Sequence, residues 1–177
     1  MKTLRIKNTS ITLRIIGWVQ IVGGIIGLAV MANIMIQTGT ITGVVLLLLL
    51  FGLALFSYSI YAGKRLLTDE AKDVSVILSL INFALQLFQW KLLGYGLSYS
   101  SGIDLVLGFE GLNFKASVSA IVATFNMSIN SGNNFYIKVN LAAVLIVVVL
   151  ADILKELKEK KELPEQKVHS EEASQPN

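Results

Sequence analysis

Five polar residues, Ser75, Ser79, Asn82, Gln86 and Gln89, recur at steps of four, three, four and three through the apolar stretch VSVILSLINFALQLFQWK, residues 74–91. On an α-helix this spacing places all five on one face. Hydroxyls and neutral amides hydrogen-bond but carry no charge for acid–base work. Their chemistry is that of an internal hydrogen-bond seam, or of the lining of a weakly selective path. Amides are costly in hydrocarbon, so the stripe is expected to turn inward. Gln20 and Asn33, with Gln37 just beyond, offer partners in the first apolar run, beside Gly17, Gly23, Gly24 and Gly27. Gly23 and Gly27 form a GxxxG pair, and small residues let helices approach closely. Tight packing of the first helix on the third is favoured over a water-filled path, because the two compete for the same space.

The residues that would carry catalysis are sparse. The apolar runs hold no acidic pair, and the chain has no HExxH, GxGxxG, P-loop or GxSxG motif. Asp104 and Glu110 fall on one face of a predicted strand and read as solvent-facing charges. His169 stands alone in a charged tail with no partner at ligand spacing. Asn140, Ser57 and Ser59 read as isolated bundle hydrogen bonds, and Asp152 as an interfacial charge. No enzymatic activity, metal or organic cofactor is expected.

Composition says what must hold these residues. Of 177 residues 54% are hydrophobic and only 15% charged, against about a quarter charged in an average soluble domain. The mean hydropathy is +0.66. Charge collects at the two ends, the distribution of a multispanning membrane protein. The net charge of +3 lies beside apolar runs rather than on a face interleaved with aromatics, so no nucleic-acid partner is expected. Without cysteine there is no disulfide framework, thiolate metal site or thiol nucleophile.

Four apolar runs approach the roughly 20 residues needed to cross a hydrocarbon core: about 15–36, 41–62, 74–93 and 137–154. The expected fold is thus an all-α membrane bundle of four transmembrane helices with a small antiparallel β cap between the third and fourth. Residues 1–14 form a cytoplasmic segment and 15–93 the first three helices with short loops. Residues 94–136 form an extracytoplasmic β-rich cap, 137–154 the fourth helix and 155–177 a charged cytoplasmic tail. That tail continues the fourth helix until Pro164 stops it, with disorder after residue 163. The first run follows basic residues, as a secretory leader would, but is long and lacks a small-x-small cleavage site, so it reads as a retained helix.

Lys2, Arg5, Lys7 and Arg14 precede the first helix, Lys64, Arg65 and Lys72 separate the second from the third, and five lysines follow the fourth. By the positive-inside rule both termini are cytoplasmic. Trp18, Tyr58 and Tyr61 mark the inner interface; Trp90, Tyr95, Tyr99, Phe135 and Tyr136 mark the outer one. A bacterial inner membrane is the expected location.

Within the cap, residues 103–109 alternate with period two, EGLN turns, and residues 114–129 alternate with a change of phase. A one-residue slip exchanges the faces of a strand, so a bulge is expected within 120–124. NSGNN, residues 130–134, supplies a further turn. A sheet this small cannot bury both faces alone. The expected role is therefore a non-catalytic subunit or scaffold in the bilayer, binding a protein partner or further copies of itself through the cap or tail. The alternative is a small channel or transporter with a path along the third helix.

Overall fold

The computed structural model describes residues 9–38, 42–68, 72–129 and 135–172, excepting the side chains of Ile121 and 161–172. The elements run α1 (Thr9–Gln37), α2 (Gly43–Thr68), α3 (Lys72–Ala84), β1 (Phe88–Leu92), β2 (Tyr95–Glu110), β3 (Asn113–Ser128), β4 (Tyr136–Asn140) and α4 (Leu141–Glu172). The basic residues Lys2, Arg5 and Lys7 and the predicted turn 130–134 lie outside the described residues.

Hydropathy suggested four spans, but among the described residues only α1 and α2, of 29 and 26 residues, are long and apolar enough to cross a membrane. The all-α bundle of four transmembrane helices is thereby corrected. At 1.5 Å per residue, the 13 residues of α3 rise about 20 Å, short of a core about 30 Å thick. The helix tightens at its end, where Gln86 N–H reaches Phe83 O at 3.0 Å and Leu87 N–H reaches Ala84 O at 3.2 Å. The chain then enters β1, where Phe88, Trp90 and Leu92 are exposed and Gln89 is buried. The fourth run likewise divides. Its start, from Ile137 to Asn140, lies in strand β4, and α4 begins only at Leu141, too close to the charges at Asp152, Lys155 and Glu156 to leave a span-length apolar segment. Asn140 caps α4, its Oδ1 accepting the Ala143 N–H at 3.2 Å.

The tail expectation is corrected as well. α4 runs through Pro164 to Glu172. Extending an existing helix is far easier than nucleating one, and residues 161–172 hold four Glu and two Lys. Just before it, Glu156 and Lys160 pair at 2.8 Å.

α1 and α2 pack antiparallel along the glycine face. A Cβ on Gly17 would lie 3.0 Å from the Gly63 carbonyl, one on Gly24 would lie 2.8 Å from the Phe56 carbonyl, and Gly27 lies against the Phe56 ring. Gly23 abuts the backbone of Ser101 and Gly102 in β2. The glycines thus serve α2 and β2, not the third helix as expected; α1 reaches α3 through the Gln20 side chain.

The four strands form one antiparallel sheet in the order β1-β4-β2-β3, with β1 also paired to β2. This pairing dictates a bend. β1 is antiparallel to the start of β2, β4 is antiparallel to its end, and β1 and β4 are antiparallel to each other. A straight β2 would make β1 and β4 parallel. β2 must therefore reverse its heading between Leu97 and Val106. Gly102, with φ of 114°, sits in that interval, and the register with β3 shifts there: Gly102 faces Val122 while Ile103 faces Ala120. The extra residue, Ile121, falls within the interval where the change of phase predicts a bulge. The bend seats β2 against the middle of α1, with Gly102 close to Val19 and Gly23. The segment is therefore not a cap resting on helix ends.

The molecule is inverted relative to a water-soluble domain. Ile15, Trp18, Val22 and Ile25 of α1 and Leu46, Leu47, Leu50 and Phe51 of α2 are exposed, whereas Gln20, Ser59, Ser79, Asn82 and Gln86 are fully buried.

Gly102→Val should destabilise the protein strongly, because a side chain there is strained by about 1–3 kcal/mol and its Cβ would lie 2.5 Å from the Val19 side chain. Gly43→Ala, with nothing within 4 Å of the added Cβ, should change stability by no more than about 0.5 kcal/mol. Thermal unfolding in detergent, followed by circular dichroism, compares the two.

Candidate functional site

The buried polar groups converge where α1, α2, α3 and β2 meet. Asn82 is the hub. Its amide nitrogen donates to Gln20 Oε1 at 3.0 Å and Ser59 Oγ at 3.2 Å, and its Oδ1 lies 3.1 Å from the Tyr99 hydroxyl. Gln20 in turn donates to Ser79 Oγ at 3.0 Å. Each element thus contributes at least one polar side chain to the cluster.

The donor count closes around Ser59. Its hydroxyl donates to the Gln20 carbonyl at 3.0 Å, so its lone pairs serve Asn82 and Ser101, whose hydroxyl lies at 3.0 Å. Ser101 is then the donor in that last contact. The single Tyr99 proton is shared between Asn82 Oδ1 and the Leu55 carbonyl, each 3.1 Å away. The Tyr99 ring packs on Phe56 with centroids 5.5 Å apart, so its polar tip and apolar body are both engaged.

A second set of bonds repairs the bend. From Ser98 to Leu105 the side of β2 away from β3 has neither β1 nor β4 beside it, and its backbone groups need partners. Gln86 Oε1 accepts the Ser101 N–H at 2.9 Å, and the Gln86 amide donates to the Asn82 carbonyl at 3.2 Å. Asn140 Oδ1 accepts the Leu105 N–H at 3.3 Å, and its amide meets the Ile103 carbonyl at 3.5 Å. Two side-chain amides thereby stand in for the missing strand.

Of the residues singled out by spacing, Ser79, Asn82, Gln86 and Gln20 come together, and Ser75 is buried on the same face of α3. Gln89 does not join them. It lies on β1 and donates to Asp104 Oδ2 at 3.4 Å. Asp104, read as a solvent-facing charge, is only 8% exposed. On β2, outside the two candidate spans, burial pushes its carboxyl above the ordinary carboxylate range, while Gln89 and Ser100 oppose the shift. Glu110 is exposed and pairs with Lys138 at 3.6 Å.

Spacing missed Tyr99 and Ser101 and gave no role to Asn140 beyond an isolated bond. Tyr99, expected at the outer interface, is 1% exposed. Its only signal was two-residue alternation with Ser101, which leaves open which face is buried. Among the described residues no group of three or more His, Cys, Asp or Glu is placed to hold a metal ion.

No family model matches the chain, and no curated protein or solved structure matches it significantly.

Asn82→Leu should strand Gln20 Oε1 in a dry interior, at about 1–3 kcal/mol, whereas the Tyr99 and Ser59 hydroxyls keep the Leu55 and Gln20 carbonyls as acceptors. Ser57→Ala, outside these bonds, should have little effect. The difference in unfolding midpoint between the two variants measures how much the cluster contributes.

Proposed function

We propose that the protein is a non-catalytic, membrane-embedded subunit or scaffold that binds a protein partner through the free end of the β2–β3 hairpin. The observation that carries this reading is that end itself. From Leu112 to Val118 every residue of the returning strand is exposed, on both faces. Leu112 is 96% exposed, Val118 78% and Phe114 62%. Phe109 and Phe114 meet edge to face across the hairpin, 5.7 Å between centroids, so the arm is ordered by its own side chains. An uncovered apolar patch with an unpaired strand edge is a surface for another chain.

Two helices long and apolar enough to cross a membrane, with an exterior of Ile, Leu, Val and Phe, support the bilayer setting. Within that setting we place the protein in a bacterial inner membrane with both termini cytoplasmic. Lys64 and Arg65 lie in the last turns of α2 and Lys72 opens α3. α4 packs along α3 with Leu154 and Lys155 near Leu80, which sets its lysines on the same side. A polar path along residues 75–89 finds no support in the packing, since Ser79, Asn82 and Gln86 bond to protein groups and the 75–89 segment is divided between α3 and β1.

Native mass spectrometry of the protein, extracted in mild detergent from its own membrane, should show a different polypeptide at fixed stoichiometry. The double variant Leu112→Ser, Val118→Ser, which keeps the Phe109–Phe114 contact, should lose that polypeptide while its unfolding free energy stays within about 0.5 kcal/mol of the parent. A lone monomer for the parent protein would overturn the reading.

A further inference from the structure

We propose that Asp104, with Ser100 and Gln89, forms a binding site for a single positive charge, a proton or an alkali cation, in the bend of β2. The site is separate from the hairpin end and does not depend on what that end binds.

The first observation is an orphaned carboxylate. Asp104 Oδ2 receives only the Gln89 amide, at 3.4 Å, and Oδ1 has no hydrogen-bond partner. The second is an orphaned hydroxyl beside it. Ser100 is fully buried, its Oγ makes no hydrogen bond of good geometry, and it is near enough to favour the ionised form of Asp104. Two oxygens without a partner of good geometry, both on residues more than nine-tenths buried, thus flank Gly102 at the bend of one strand. Buried polar atoms without partners are rare because each costs about 1–3 kcal/mol, and more if charged.

No protein cation fills the gap. Among the described residues Asp104 forms no ion pair. The titratable groups of the adjoining strands are Lys91 on β1, Lys115 on β3 and Tyr136 and Lys138 on β4. Lys138 is turned to Glu110 at 3.6 Å and to the Tyr136 ring at 4.8 Å. Lys115 stands opposite Gly108, four rungs from Ser119, which faces Asp104. Lys91 pairs in register with Gly96 and Tyr136, toward the strand ends. Of the helices packed on β2, α1 brings Arg14 in its first turns, and α4 brings no titratable residue before Asp152. An isolated carboxylate in such surroundings must be neutralised or strongly solvated.

The chemistry of the site limits what neutralises it. One carboxylate balances one positive charge, and among the described residues no further acids or histidines gather with it as a divalent ion would need. The free donor atoms are hard oxygens, Asp104 Oδ1 and Ser100 Oγ. They suit a proton held between carboxyl and hydroxyl, or an alkali cation. The Asn140 oxygen is already engaged by two N–H groups. Filling the site would tie β1, through Gln89, to the bend of β2.

The test uses the full chain in detergent, with Asp104→Asn as the reference. This variant has the shape of the neutral acid and should therefore fold. Infrared difference spectra, parent minus Asp104→Asn, are recorded at pH 7 in sodium chloride and in choline chloride of equal ionic strength, beside thermal unfolding in both salts. A carboxylic-acid carbonyl band in both salts supports the site with a proton as its occupant; Ser100→Ala should then shift that band. No acid band, but a saturable rise in midpoint with sodium that Asp104→Asn abolishes, supports the site with an alkali cation. Neither an acid band nor a sodium-specific rise would mean an ionised, unliganded carboxylate, and would overturn the proposal.

Discussion

The structure depends on satisfying one amide in a dry interior. Asn82 cannot lie among apolar side chains unless its donors and acceptor find partners, and those partners come from α1, α2 and β2. α3, at 13 residues, is too short to anchor itself by spanning hydrocarbon. The bonds of Asn82, Ser79 and Gln86 hold its rotation and height against the two longer helices. Tyr58 adds a fourth tie, donating to the Leu78 carbonyl at 3.0 Å. Glycine makes this geometry possible: with Gly23 of α1 against the β2 backbone, the strand comes close enough for Ser101 to reach Ser59.

The same constraint explains the bent strand. A strand that reverses its heading leaves backbone groups without a ladder. In a chain whose exterior is Ile, Leu, Val and Phe, unpaired backbone groups are especially costly. Gln86 and Asn140 answer that cost from opposite sides of the bend, and each has a second duty. Gln86 also bonds the carbonyl of Asn82, and Asn140 also caps α4. Asp104 and Ser100 are the places in the bend where the matching is incomplete.

How much of this was legible follows from what each signal measures. Steps of four and three through Ser75, Ser79 and Asn82 identify a helical face regardless of where the helix ends, and that face is the buried one. The end of α3 was hidden because hydropathy counts apolar residues without their period. In FALQLFQWKLL the alternation at Phe88, Trp90 and Leu92 marks a strand, but it follows directly on a helical pattern. The same confusion hid β4 ahead of α4. The change of phase near Ile121 was readable because a bulge leaves its trace in one strand's own sequence. The closure of β1, β4 and the two halves of β2 was not, since pairing of distant short strands leaves no local trace. The glycine face of α1 was readable as a packing surface, but glycines carry no mark of their partner, and the partners proved to be α2 and β2.

Gln20 and Asn82 act as one unit within a sealed network, and a double-mutant cycle on that pair measures their coupling. Unfolding free energies are measured for the parent, Gln20→Leu, Asn82→Leu and the double variant in the same detergent. The network predicts that the double variant is more stable than the sum of the single losses implies, by at least about 1 kcal/mol, because each single change leaves the other amide without its partner in the bond they share. Losses that add to within about 0.5 kcal/mol would mean that each amide is separately solvated, and would contradict a sealed network.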